Sequence, residues 1–194
     1  MSDFEFLFDF GSPTSYLAWT QIPKIEEAYG VRAKYIPILL GAVHKASGNT
    51  SPVTVAAKNR WMGQDLARFA ARYEVPLTFN PHFPINTLLL MRGATALLDT
   101  AEFHPYLDAM FRGMWVDGAN LNDPNVLGSS LAEAGLDPGD LLQRAQDQTT
   151  KDRLRELTEN AVARGVFGAP TFFVGDEMHF GQDRLDFVRA KLAQ

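Results

Sequence analysis

The chain has no cysteine among its 194 residues. Disulfides, zinc–thiolate sites and a protein-borne thiol nucleophile are therefore excluded outright, and with them any dithiol redox chemistry. Basic residues are also in short supply: 18 Lys and Arg face 23 Asp and Glu, for a net charge of −5. That balance argues against a nucleic-acid partner, which demands a basic face. Apolar runs such as Thr87–Met91 are far too short to span a bilayer. The opening MSDFEFLFDF lacks the basic-then-apolar pattern of a secretory signal. These absences predict a protein of the cytoplasm without a membrane partner. What remains is ordinary globular composition, 46% hydrophobic and 21% charged, enough for one sizeable core.

Phe4, Phe6, Phe8 and Phe10 alternate with Glu5, Leu7 and Asp9, the period-2 pattern of a strand ending at Gly11. Ser12-Pro13 is a helix-start signature, a serine N-cap followed by proline in the first turn. The helix is predicted to run to Gly30 with a kink at Pro23. Val31–Leu40 reads as a second strand, parallel to the first, completing a βαβ unit. Gly41–Pro52 is expected to be a loop.

From Thr54 to Gly165 the signals are helical, with Asn86, Asp123-Pro124, Asp137-Pro138 and Thr149/Thr150 as candidate helix starts. Thr171–Val174 and Glu177–Phe180 flank Gly175-Asp176, a hairpin turn signal. Gln182-Asp183 is expected to cap a last helix through Leu192. The order βαβ, helices, ββα predicts an α/β thioredoxin-like fold. Its frame would comprise residues 1–52 and 165–194, and residues 53–164 would form an all-helical insertion domain.

Three spots carry possible chemistry. Ser12-Pro13-Thr14-Ser15 sits at a strand-to-helix turn, where backbone N–H groups and the helix dipole favour an anion. A serine hydroxyl there can donate to a thiolate or oxyanion, although the same serine would also serve as a plain N-cap. Gly168-Ala169-Pro170-Thr171 enters a strand through a proline, and a cis X–Pro bond would present the preceding peptide edge to a peptide-like ligand. Gly181-Gln182-Asp183-Arg184 opens the last helix, where Asp183 could pair with an ammonium or simply cap. His44, His82, His104 and His179 show no metal-ligand spacing. Of these, His82 in its Pro81–Pro84 turn is the candidate pocket residue. Trp19, Trp61 and Trp115 are expected in the core.

Taken together, these segments resemble a known family. S-P-T-S stands where disulfide-bond oxidoreductases of the DsbA-like superfamily carry C-P-x-C, with both sulfurs replaced by oxygen. FDFGSPTSYLA (Phe8–Ala18), SGN (Ser47–Asn49), FPINTLLLMR (Phe83–Arg92) and GVFGAPTFFVGDEMHFGQDRL (Gly165–Leu185) are similar to 2-hydroxychromene-2-carboxylate isomerases, relatives of kappa-class glutathione transferases. The resemblance implies glutathione as cofactor, with Ser12 as catalytic residue stabilising its thiolate. Ala169, before a cis Pro170, would pair with the cysteinyl part through its backbone. Gln182 and Asp183 would take the γ-glutamyl end, Asn49 would contact the tripeptide, and Lys58 would lie near its glycine carboxylate or an anionic substrate. Ala169 departs from the larger aliphatic residue often found there, which makes the local pocket roomier.

The implied activity is cis–trans isomerisation of a conjugated aromatic acid in aromatic-compound catabolism, by a homodimer. A kappa-like transferase and a non-catalytic thiol-peptide binding module remain alternatives at this stage.

Overall fold

The computed structural model describes residues 4–194. The strands are β1 (Phe4–Phe8), β2 (Ala33–Pro37), β3 (Thr171–Val174) and β4 (Glu177–Phe180). They form one mixed sheet in the order β2-β1-β3-β4. β1 runs parallel to β2, with Phe6 opposite Tyr35, and antiparallel to β3, with Phe6 opposite Phe172. β3 and β4 are the expected hairpin.

Strand alternation divides the apolar residues between two faces. Phe4, Phe6, Phe8 and Phe172 belong to the larger core cluster, Leu7, Ile36 and Phe173 to the smaller one. On the larger face the rings pack against one another, Phe6 with Phe172 at 5.3 Å between centroids and Phe10 with Phe111 at 4.8 Å. Such contacts add directional preference to the burial of large apolar area.

The first helical segment is two helices, not one kinked helix: α1 (Pro13–Trp19) and α2 (Ile22–Tyr29). The break falls at Thr20-Gln21, so Pro23 lies in the first turn of α2, where its missing N–H costs nothing. β2 is shorter than expected at both ends. The predicted loop after it contains a helix, α3 (Leu40–Ser47), ended by left-handed Gly48, and a 3-10 turn at Pro52–Thr54. Only Val43 of α3 is buried, so the segment shows almost no apolar period while its glycines suggest a loop.

The helices α4 (Ala56–Tyr73), α5 (Leu88–Leu97), α6 (Phe103–Trp115), α7 (Pro124–Glu133), α8 (Pro138–Gln146) and α9 (Gln148–Ala163) follow before β3. Asp123 and Asp137 cap α7 and α8 as expected, accepting from Asn125 N and from Gly139 N. Asn86 accepts from Leu88 N ahead of α5. The start of α9 lies at Gln148, one residue before the expected threonines. After β4, Gln182–Arg184 form a 3-10 turn leading to α10 (Leu185–Leu192). Neither Gln182 nor Asp183 caps it: Gln182 is buried, and Asp183 pairs with Arg184. Trp115 is fully buried and Trp19 partly so, but Trp61 is 59% exposed on α4, contrary to expectation.

The helical segment shares its core with the sheet. Trp115 donates from Nε1 to the Phe10 carbonyl at 2.7 Å, and Met91 Sδ receives Phe10 N. The segment thus grips β1's continuation immediately before Ser12. Asp9 is the second clasp: its carboxylate accepts from Gly11 N at 2.8 Å and from Leu40 N at 2.9 Å, tying the β1–α1 turn to the start of α3. Burial raises the Asp9 pKa above its ordinary value, outweighing these donors and the Thr87 hydroxyl.

Two predictions follow from this packing. Gly93 on α5 lies under Tyr106, whose hydroxyl would stand 2.3 Å from an added Cβ. The ring cannot easily retreat, because it is buried and donates to Leu90 O at 2.7 Å. Gly93→Ala should therefore lose about 1–3 kcal/mol by overpacking, more than the ~1 kcal/mol of helix propensity it gains. Gly63→Ala on α4, with open space around it, should gain about 0.5–1 kcal/mol. Denaturant midpoints of the two variants check the opposite signs. For Asp9 the raised pKa means that the fold favours the protonated form. Its contribution is greatest below the unfolded carboxylate pKa and declines as pH rises through the folded one. Asp9→Asn should be less stable than the parent, because an amide nitrogen cannot accept from Gly11 or Leu40. The gap should narrow as pH rises above the ordinary carboxylate range, as urea titrations at several pH values would register.

Candidate active site

The turn after β1 places Ser12 at the N-cap of α1, fixed by Ser12 N donating to Asp9 O at 3.0 Å. Its Oγ accepts from Ser15 N at 3.1 Å, the ordinary capping bond. The same hydroxyl does something a cap does not require. It donates to the carbonyl of Ala169 at 2.9 Å, across 157 residues of sequence. Thr14 Oγ1 lies 2.9 Å from Ser12 Oγ and 3.3 Å from the same carbonyl.

Ala169 precedes Pro170 through a cis peptide bond, with the Pro170 carbonyl receiving Gly181 N at 2.9 Å. Thr171 Oγ1 donates to Gly168 O at 2.8 Å, closing the turn into β3. Among the described residues no acceptor receives the Ala169 N–H. An amide donor therefore remains available at this edge.

Ser12, Asn49 and Ala169 line one pocket of about 180 Å³. Asn49 donates from Nδ2 to Phe167 O at 2.9 Å, joining the segment after α3 to the segment before Pro170. Apolar side chains close the remaining sides, among them Leu40, Val53, Met62, Phe83 and Phe180. His44 also lines this pocket; burial pushes its imidazole below the ordinary pKa, opposed by the Asp9 charge. His82, the histidine singled out from the sequence, is exposed and lines no part of it. The signal for His44 was available only through the unrecognised helix α3, which turns it toward Ser12's pocket. Phe83 lay within a family-like segment, but no local pattern marks it as a wall.

The other expected residues are distributed differently. Gln182 and Asp183 line a second, polar cleft with Tyr73, Arg72, Asp186 and Arg189. Tyr73 Oη donates to Gln182 O at 3.0 Å, and Gly181 links that cleft to Pro170. Lys58 is exposed on α4 and borders neither cavity. Ser15, in the position of the second motif serine, is fully buried, and its Oγ has no partner among the described residues. No group of three or more His, Asp or Glu that could hold a metal occurs among the described residues. No helix among them is long and apolar enough to cross a membrane.

The architecture and this site can be set beside known proteins. A family model described as a DSBA-like thioredoxin domain matches residues 4–193. A 2-hydroxychromene-2-carboxylate isomerase from Sphingobium xenophagum is 36% identical over 194 residues, covering 97% of this chain and 96% of that protein. Glutathione S-transferase kappa 1 of Rattus norvegicus is 27% identical over 207 residues, covering 98% of this chain and 90% of its own. A solved structure of a 2-hydroxychromene-2-carboxylate isomerase superposes with a TM-score of 0.89 at 30% identity, covering 98% of this chain and 94% of that one. With its Ser12–Ala169 turn pair on a thioredoxin-like sheet, the chain belongs to the DSBA-like thioredoxin domain family and, within it, to the 2-hydroxychromene-2-carboxylate isomerase family.

Proposed function

We propose that this protein is a glutathione-dependent isomerase that interconverts 2-hydroxychromene-2-carboxylate, or a closely related conjugated aromatic acid, with its trans ring-opened form. The single observation that carries this reading is the Ser12 hydroxyl. It faces a pocket at the start of α1 and lies within 2.9 Å of the backbone edge at Ala169. Family membership and the isomerases' identity over nearly the whole chain support it.

The residues present suit a thiol tripeptide. Ser12 offers a hydroxyl donor with no competing thiol nearby, since the chain has no cysteine. Ala169 has an N–H without a partner among the described residues, suited to a peptide carbonyl in the manner of strand addition. Gln182 and Asp183, in the second, polar cleft, are suited to a γ-glutamyl ammonium and its neighbours. Asn49 braces the turn that presents Ala169. Lys58 is free to reach a carboxylate only by extending from the α4 surface, and is the least constrained member of the set.

Glutathione held by Ser12, Ala169, Gln182 and Asp183 would supply a thiol capable of reversible addition to a conjugated double bond, the chemistry that cis–trans isomerisation of such an acid requires. The chain's residues make that chemistry possible. Ser12 donates to the sulfur and favours its ionised form, so that a nucleophile exists near neutral pH. Leu40, Val53, Met62 and Phe83 offer apolar walls for an aromatic ring. His44, held toward its neutral form by burial, lines the same space without adding a fixed charge. The rat relative's name, a glutathione S-transferase, motivates one further comparison: a transferase would release a stable conjugate, whereas an isomerase returns the thiol unchanged.

Ser12→Ala should lower the isomerisation rate of the chromene acid by about 10²-fold, the usual effect of removing one preorganised donor. The thiolate absorbance of bound glutathione should fall with it. An unchanged rate and absorbance would make Ser12 a cap and nothing more. Asp183→Asn should weaken glutathione binding by about tenfold, measured by calorimetry. Binding an unrelated tripeptide as tightly as glutathione would favour a peptide-binding module over this enzyme, and conjugate accumulation without isomerisation would favour a transferase.

A further inference from the structure

Thr14 occupies the second position of α1, where a threonine hydroxyl commonly bonds to backbone of its own turn. Here it reaches instead to Ala169, 155 residues away, at 3.3 Å, and to Ser12 Oγ at 2.9 Å. Thr14 is half-buried and, with Ser12, lines the pocket.

Proton counting gives this triangle a consequence. Two hydroxyls carry two protons, while three close approaches join Ser12 Oγ, Thr14 Oγ1 and Ala169 O. At most two of the three can be donor bonds at one time. Ser12 Oγ already accepts from Ser15 N, which leaves it one further lone pair and one proton. When an anion enters on the pocket side, the Ser12 proton must leave the Ala169 carbonyl to meet it. That buried carbonyl would then lose its donor, at a cost greater than the bond itself is worth in water.

Thr14 can respond in two ways, of which the first removes the conflict. Its proton can take over the Ala169 carbonyl, or it can donate to Ser12 Oγ and fill the remaining lone pair. In the second arrangement Ser12 accepts twice, from Ser15 N and from Thr14, and its own O–H becomes a stronger donor. No bond is made or broken covalently in either case. Only the first arrangement releases the Ser12 proton toward the anion and keeps the buried Ala169 carbonyl paired; in the second both protons are engaged elsewhere and that carbonyl loses its donor.

We propose that Thr14 is a positioning residue whose hydroxyl frees the Ser12 proton for a sulfur anion, and so sets how far the pKa of the bound thiol is lowered. This rests on the reading that Ser12 holds the thiolate of glutathione. It concerns a hydroxyl between the two serines, not the serine itself. Thr14→Val keeps the shape and removes the donor; Thr14→Ala removes both; Thr14→Ser keeps the donor and removes a methyl.

The test is an ultraviolet pH titration of glutathione bound to each variant, paired with calorimetry of S-methylglutathione, which cannot ionise. Thr14→Val and Thr14→Ala should raise the bound thiol's pKa by about half a unit, a roughly threefold loss of thiolate below that pKa. S-methylglutathione should bind within about twofold of the parent, and Thr14→Ser should restore the parent pKa. If Ser12→Ala raises the pKa while both hydroxyl-free Thr14 variants leave it unchanged, the inference about Thr14 fails and the Ser12 reading stands. Equal losses for glutathione and its S-methyl derivative would assign Thr14 to packing and overturn the inference. If Ser12→Ala also leaves the pKa unchanged, the sulfur is not held there and both readings fall together.

Discussion

The bond from the Ser12 hydroxyl to the Ala169 carbonyl joins the first helix of the chain to the turn before its third strand. A hydrogen bond of this kind contributes only about 1 kcal/mol net, but a buried carbonyl without its donor costs more. The geometry therefore depends less on that bond's strength than on what holds its two ends. On one side, Asp9 binds Gly11 N and Leu40 N, and Trp115 holds the Phe10 carbonyl. On the other, Gly181 N, Thr171 Oγ1 and Asn49 Nδ2 brace the residues from 167 to 170. Ser12 and Ala169 are thus presented by a frame that would remain in place if their mutual bond were exchanged for bonds to a ligand.

That exchange explains why oxygen serves at this position where disulfide-exchanging proteins use sulfur. A cysteine here would attack the disulfide form of such a ligand, keep one half as a mixed disulfide and expel the other as a thiolate, and the site would turn to redox exchange. A serine hydroxyl cannot enter that reaction. It retains its proton near neutral pH and can only donate it in a hydrogen bond, which stabilises an anion without consuming it. Replacement of both motif positions by serine makes the change complete. Ser15 is fully buried with an unpartnered Oγ, so the second position is structurally retained but has no hydrogen-bond role among the described residues.

Much of this was legible in the sequence wherever one local rule decided the outcome. The alternating phenylalanines specify β1, the Asp-Pro pairs start α7 and α8, and Gly175-Asp176 turns the hairpin. The rule failed where burial was too slight to leave a period. α3 buries one valine and contains a glycine, so its residues resemble a loop, and no local pattern marks His44 rather than His82 as a pocket residue. Trp61 failed for the opposite reason: an aromatic in an amphipathic pattern suggests core, yet the stripe of α4 that packs inward runs through Leu66 and Ala70. The candidate residues stand out by motif, but their division between two cavities does not. No spacing along the chain encodes that Gln182 lies in a cleft with Tyr73 while Asn49 shares a pocket with Ser12.

The division has a mechanical meaning. The groups suited to sulfur and peptide backbone, Ser12, Thr14 and Ala169, are anchored to the sheet by bonds that also stabilise the fold. The apolar walls come from elsewhere: Leu40 from α3, Val53 from the following turn, Met62 from α4 and Phe83 from the stretch before α5. Those segments carry fewer buried residues, α3 one and α4 two along its 18 residues. A substitution on the walls therefore disturbs less packing than one at the turn pair, where Phe10, Trp115 and Asp9 are fully committed to the core. The shape offered to an aromatic acid can change while the donor geometry at Ser12 is held by the same bonds that hold the protein together.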